Sequence, residues 1–192
     1  MGFIDVNLFV EVNKNMRYHN ITKDDMLNGD GLRVVLWTAG CNHCCKECQN
    51  PVTWDPNGGL PFTAAEKAEI FEQLDKSYTS GITFSGGDPL HPANVNDVTA
   101  LAKEIREKYP NKTIWLYTGS LWEEIRNEEI VKYLDVCVDG EFEVAKKDVT
   151  LQWKGSSNQR VIDVQKTLKE GKVFLHADDD GDRFEEKRCK GE

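Results

Sequence analysis

The stretch Leu32–Cys48, LRVVLWTAGCNHCCKEC, runs from a valine-rich apolar segment through one glycine into four cysteines. Leu32 to Ala39 has the composition of a buried strand, and Gly40 ends it. The cysteines therefore belong to a loop at the carboxyl end of a strand. Downstream, Pro51, Pro56, Gly58, Gly59 and Pro61 mark a long irregular connection. Thr63-x-x-Glu66 then has the form of a capping box, and Ile70, Phe71 and Leu74 share one face of the helix it opens, which runs to about Ser77.

Further along, the chain repeats one unit: strand, glycine-bearing turn, helix. Gly81–Phe84 is a short apolar strand ending in Ser85-Gly86-Gly87-Asp88-Pro89, and a helix follows from Asn94 to Lys108 with Val98, Leu101, Ala102 and Ile105 as its apolar stripe. Thr113–Tyr117 is the next strand, Thr118-Gly119-Ser120 its turn, Leu121–Leu134 a helical stretch, and Asp135–Val138 a strand before Asp139-Gly140. A further strand is expected at Phe3–Val12. Lys154–Asp163 reads as a polar block leading into a short strand, with a helical turn at Val164–Lys169. Strands alternating with helices predict a parallel sheet, whose chemistry gathers at the strand carboxyl ends. All four turn motifs fall on that rim.

The length of 192 residues suits a single domain over residues 1–192, with its core at about 28–163 and a solvated tail at about 177–192. Acidic residues outnumber basic ones 33 to 24, for a net charge of −9, which argues against nucleic acid as a partner. The first residues lack a basic segment followed by an apolar run, and no stretch approaches the ~20 apolar residues that span a bilayer, so no membrane partner is expected and the expected location is cytoplasmic. Of the six cysteines, Cys137 and Cys189 lie far from the cluster. Adjacent Cα atoms at Cys44 and Cys45 are only ~3.8 Å apart, a poor geometry for a disulfide between them. The cluster reads as a metal or redox site.

Two ligand sets are open on spacing. Cys41/Cys44 and Cys45/Cys48 form two abutting C-x2-C pairs, but zinc ribbons separate such pairs by roughly 15–20 residues so that each approaches the metal from its own side. The other set uses three thiols, either Cys41, Cys45 and Cys48 or Cys41, Cys44 and Cys48. A [4Fe–4S] cluster takes four protein ligands when closed, so three leave one iron open. A closed site that adds His43, or a thiol group without metal, is the structural alternative.

Gly40-Cys41-x3-Cys45-x2-Cys48 after an apolar strand resembles the signature of the radical S-adenosylmethionine (SAM) enzymes, and Ser85-Gly86-Gly87-Asp88-Pro89 resembles their glycine-rich motif. Asp30-Gly31-Leu32-Arg33, Asn50-Pro51-Val52-Thr53-Trp54, Val138-Asp139-Gly140-x-Phe142 and above all Gly155-Ser156-Ser157-Asn158-Gln159-Arg160 narrow it. Together they resemble the activating proteins of the anaerobic (class III) ribonucleoside-triphosphate reductases, over about residues 28–163. The cysteine spacing places the superfamily; the block ending in Arg160 is the specific signal.

The resemblance implies an α/β fold of the radical SAM type, an incomplete (βα) barrel with a curved parallel sheet. It assigns Cys41, Cys45 and Cys48 to a [4Fe–4S] cluster and leaves Cys44 as an extra thiol. It implies SAM contacts at Glu47, Cys48, Gln49, Ser85, Gly86, Gly87, Asp88, Thr118 and Asp139. Gly86 and Gly87 have no Cβ to block approach to backbone carbonyls. The residue before the third cysteine is usually small or aromatic in these enzymes; Glu47 stands here, so its backbone is the expected contact.

Ser156, Ser157, Asn158, Gln159 and Arg160 offer amides, hydroxyls and a guanidinium suited to a partner's peptide. By resemblance, reduced flavodoxin or a similar donor supplies one electron and SAM splits into methionine and a 5′-deoxyadenosyl radical. That radical takes a hydrogen from a glycine of the large catalytic reductase subunit. The four histidines, His19, His43, His91 and His176, show no sequence partner that marks a base and read as non-catalytic. The alternatives are another small radical SAM enzyme, acting on a small molecule or a different glycyl-radical protein, and a non-enzymatic zinc or iron–sulfur module.

Overall fold

The computed structural model describes residues 16–176, so the strand expected at Phe3–Val12, the tail from 177 and Cys189 lie outside the described residues. Seven strands form one sheet: β1 (Arg17–Asp25), β2 (Leu32–Thr38), β3 (Leu60–Pro61), β4 (Thr79–Gly86), β5 (Thr113–Tyr117), β6 (Val136–Asp139) and β7 (Arg160–Asp163), in the order β3-β1-β2-β4-β5-β6-β7. β2, β4, β5 and β6 are parallel neighbours. The alternation of strand and helix predicts this part, because a parallel pair needs a long crossover.

The sheet is mixed rather than wholly parallel. β1 pairs antiparallel with β2 and β3, and β7 pairs antiparallel with β6. β1 carries no local strand signal: RYHNITKDD has little apolar alternation, and an edge-side strand with water on much of its surface needs none. The turn from β1 into β2 is fixed by Asp25, whose carboxylate accepts from the amides of Leu27 and Asn28 at 2.8 Å.

Helices α1 (Ala64–Leu74), α2 (Val95–Lys108), α3 (Trp122–Ile125) and α4 (Val164–Glu170) complete the fold. α1 begins at the expected capping box: Thr63 accepts from the Ala65 amide, and Glu66 accepts from the Thr63 amide at 2.7 Å. α4 is bounded by an Asp163 N-cap and by Gly171 at φ 70°, the left-handed C-terminal stop. The helical stretch expected over Leu121–Leu134 is broken in two. Glu128 is extended, and a 3-10 turn at Glu129–Tyr133 follows. One uninterrupted helix would not hold Trp122, Ile125, Ile130, Val131 and Leu134 on one face, whereas the break buries all five.

Side chains of alternate sign along the strands divide two faces. Val34, Leu36, Ile82, Phe84, Ile114, Leu116, Cys137 and Ile162 face the apolar stripes of α1 and α2. The opposite face carries Trp115, Val136, Val138 and Val161, with Tyr117 and Trp153 against them. Arg33 is fully buried on that side. Its guanidinium donates to Thr83 Oγ1, Thr113 Oγ1 and the carbonyls of Asp30, Ile82 and Thr113, and it lies 5.3 Å from the Trp115 ring. No helix among the described residues is long and apolar enough to cross a membrane.

Candidate functional site

Because β2, β4, β5 and β6 run in one direction, their carboxyl ends share a rim, and the four turn motifs meet there. The cysteine loop and the glycine loop touch through backbone. Gly87 N donates to Thr38 O at 2.8 Å, and Asp88 N donates to Gly40 O at 2.7 Å. The Asn94 side chain joins them from below, donating to the carbonyls of Ala39 (2.8 Å) and Asp88 (3.0 Å). A Cβ at Gly86 would sit 2.5 Å from Thr38 N and one at Gly87 would sit 2.4 Å from Gly40 O. Both glycines are thus required by loop-to-loop contact, before any ligand is considered. Ser85 is buried beside them, its carbonyl accepting from Thr38 Oγ1 at 3.1 Å.

Within the cysteine loop, Cys41, Cys45 and Cys48 are half-buried and Cys44 is exposed; all four are free thiols. Positive φ at Cys44 (50°) and Glu47 (58°) turns the chain back on itself, and Cys48 N donates to Cys45 O at 3.1 Å. The Asn50 amide donates to Cys48 Sγ at 3.4 Å. Burial raises the thiol pKa of Cys41 and Cys45, while backbone hydrogen bonds from His43 to Cys41 and from Phe142 to Cys45 act the other way. Amide donors on sulfur are the groups that tune an iron–sulfur site.

Among the described residues, no three His, Cys, Asp or Glu side chains converge on one point as a single metal ion needs. A cluster takes one thiolate per iron and so asks for spread thiols. The donor set, three half-buried thiols with amides aimed at sulfur, fits a cluster.

Asp88 is the hub of the rim. Its buried carboxylate accepts from Thr118 Oγ1 at 2.9 Å and the Leu90 amide at 2.8 Å, and its Oδ2 lies 2.7 Å from His43 Nε2. His43 Nδ1 lies 2.9 Å from Glu141 Oε1. The Asp88 carboxylate, helped by Glu141 and opposed by burial, raises the His43 pKa to about 9. Both ring nitrogens therefore carry protons and donate.

Asp139 and Arg160, expected to meet a cofactor and a partner, pair with each other. Asp139 is fully buried; Arg160 Nε donates to its Oδ1 at 3.0 Å, Arg160 Nη2 pairs with its Oδ2, and the Trp122 amide donates to Oδ2 at 2.8 Å. Arg160 also reaches Glu123 at 2.9 Å. Much of that block turns inward as well. Gln159 Oε1 accepts from the amides of Gly155 (2.9 Å) and Ser156 (3.2 Å), and its Nε2 donates to Gly140 O at 2.9 Å. Asn158 Nδ2 donates to Glu141 O at 2.8 Å, Ser156 is buried, and Ser157 is exposed. His43 and Glu141 carry no signal in the sequence, since their partners are distant along the chain, and neither does the bond from Gln159 to Gly140, 19 residues away.

The family of the 4Fe-4S single cluster domain matches residues 27–162, which takes in the whole rim. An anaerobic ribonucleoside-triphosphate reductase-activating protein of Enterobacteria phage T4 is 42% identical over 146 residues, 76% of this chain and 93% of the relative. The protein of that name from Escherichia coli (strain K12) is 43% identical over 150 residues, 76% of this chain and 97% of the relative. The chain belongs to the family of anaerobic ribonucleoside-triphosphate reductase-activating proteins. A Vibrio cholerae activating protein, 38% identical over 148 residues and 96% of its own length, extends the match. In this activating protein, three of the motifs that point to the family, the cysteine loop, Ser85–Pro89 and Val138-Asp139-Gly140, lie on one rim, to which the sheet order also brings Thr118-Gly119-Ser120.

Proposed function

We propose that the protein installs a glycyl radical on an anaerobic ribonucleoside-triphosphate reductase, using a [4Fe–4S] cluster held by Cys41, Cys45 and Cys48 together with SAM. When bound, the cluster supplies one electron that splits SAM into methionine and a 5′-deoxyadenosyl radical, which takes a hydrogen from a glycine of the reductase's large subunit. The observation that carries this reading is the contact of the three-thiol loop with the glycine loop at Gly40 and Asp88, on a chain that matches the activating proteins over most of their length.

The chain's own residues bind, orient and shield. Cys41, Cys45 and Cys48 would hold the cluster, and a three-thiol set would leave room there for SAM. Backbone carbonyls between Ser85 and Asp88 accept from the amino group of SAM, with Glu47, Gln49 and Thr118 beside it. Asp139 acts through its pairing with Arg160, which holds the ends of β6 and β7 at the rim. Ser157, the exposed member of its block, meets the partner first, and Asn158 follows it. The sheet's curvature makes an incomplete barrel, and the partner's glycine segment enters it so that water and oxygen are excluded. The electron donor is reduced flavodoxin or a protein like it, and the reaction takes place in the cytoplasm.

The test is anaerobic reconstitution, dithionite reduction and electron paramagnetic resonance before and after SAM addition, with product analysis. A reduced-cluster signal that SAM alters, with 5′-deoxyadenosine formed and a glycyl radical on the added reductase, is the expected result. A colourless protein holding stoichiometric zinc and inert toward SAM overturns it.

A further inference from the structure

Three loops of the rim meet at one imidazole. His43 reaches Asp88 of the glycine loop at 2.7 Å and Glu141 of the loop after β6 at 2.9 Å. Its ring lies flat against the turn after β5, where a Cβ on Gly119 would sit 2.5 Å from Cδ2. The Asp88 carboxylate is itself anchored by Thr118 and the Leu90 amide, and the Glu141 backbone is held by Asn158 Nδ2, which donates to the Glu141 carbonyl.

The cysteine loop needs an external tether. Inside residues 41–48, one backbone hydrogen bond, Cys48 to Cys45, is found, and two non-glycine residues sit at positive φ. Such conformations persist only where the surroundings hold them. His43 stands between the first and second thiols of the cluster set, so a tether there acts on both. We propose that His43 is a positioning residue that bridges Asp88 and Glu141 and thereby fixes the seating of the cluster against the glycine loop. This rests on the cluster reading given above. It also gives the Ser156–Arg160 block a second task, since Asn158 and Gln159 hold the Gly140–Glu141 segment to which His43 is bound.

The test uses the full chain as wild type, His43→Ala, His43→Gln, Glu141→Gln and the double variant His43→Ala/Glu141→Gln, each reconstituted anaerobically. Three readouts are taken: iron loss to a chelator, line shape of the reduced cluster in electron paramagnetic resonance, and hydrogen exchange of residues 41–50. His43→Ala is expected to release iron about tenfold faster, as loss of a supporting partner around metal ligands does. It should shift the cluster's line shape and speed exchange in that segment while the melting temperature stays within about 2–4 °C of wild type.

His43→Gln keeps one donor and should recover part of each effect. The double variant should be no worse than His43→Ala. Identical behaviour of His43→Ala and wild type, exchange that rises across the whole chain, or an additive double variant overturns the proposal. Should His43→Ala fail to fold, Glu141→Gln alone decides, because that carboxylate is 57% exposed and its loss does not threaten the core. A wild-type chain that takes up no cluster sinks the function proposed above, and exchange in the metal-free variants still tests the bridge.

Discussion

Gly87 lies against Gly40 so closely that a Cβ on Gly87 would be 2.4 Å from the Gly40 carbonyl oxygen and 2.8 Å from that of Thr53. Neither neighbour is a flexible side-chain end that can swing aside. Gly87→Ala should therefore push the glycine loop off the cysteine loop, costing about 1–3 kcal/mol as overpacking does. Gly171 supplies the comparison: its φ is positive, unlike that of Gly87, and nothing lies within 4 Å of a Cβ there. Gly171→Ala should cost only the left-handed backbone strain, about 1–2 kcal/mol, and leave cluster uptake unchanged. Thermal melts and iron content of the two variants check both statements.

Arg160→Ala leaves the Asp139 carboxylate buried with the Trp122 amide as its remaining donor. Removing one partner of a buried pair costs about 3–5 kcal/mol, and the partial exposure of Arg160 places the expected loss at the lower end. Arg160→Lys should recover less than half, because one ammonium cannot repeat a two-nitrogen contact. Urea unfolding of both variants, and of Asp139→Asn combined with Arg160→Ala, measures the coupling; the double loss should be smaller than the sum.

Arg33 is buried, and burial lowers its guanidinium pKa to about 10. Its five acceptors on two strands and the β1–β2 turn fit a planar fork and no ammonium. Arg33→Lys should destabilise by about 2 kcal/mol or more, through acceptors left unpaired. The melting temperature should fall, and the fluorescence of Trp115, against which the guanidinium stacks, should change with it.

Among the four cysteines of the loop, Cys44 is exposed and the other three are half-buried. Single serine variants at Cys41, Cys45 and Cys48 should each abolish reconstitution of a four-iron cluster, while Cys44→Ser should retain wild-type iron and the same reduced-cluster signal. Iron loss at Cys44→Ser equal to that at Cys45→Ser would reverse the ligand set.

The sequence made the parallel half of the sheet legible because its signals are local. The apolar runs at Leu32–Thr38 and Thr113–Tyr117, the capping box at Thr63 and the stripe of α2 each need only nearby residues. The antiparallel strands were less legible. β1 shows little alternation, and β3 is two residues long and exposed, so pairing with β2 and β1, rather than pattern, makes them strands. The break after α3 has the same origin: the core selected which side chains face it, and the backbone bent to comply.

The sequence by itself determined the alternation of strand and helix, the arrival of four turn motifs at strand ends, and a loop with thiols enough for a cluster. Spacing and periodicity carry those facts, and both are properties of neighbouring residues. Only the tertiary structure decided which loops touch. His43 meets Asp88 and Glu141, 45 and 98 residues away, and Arg160 meets Asp139, 21 residues away. Such pairings follow from strand order and register, which are set by the burial of the whole sheet and are written in no single stretch of chain.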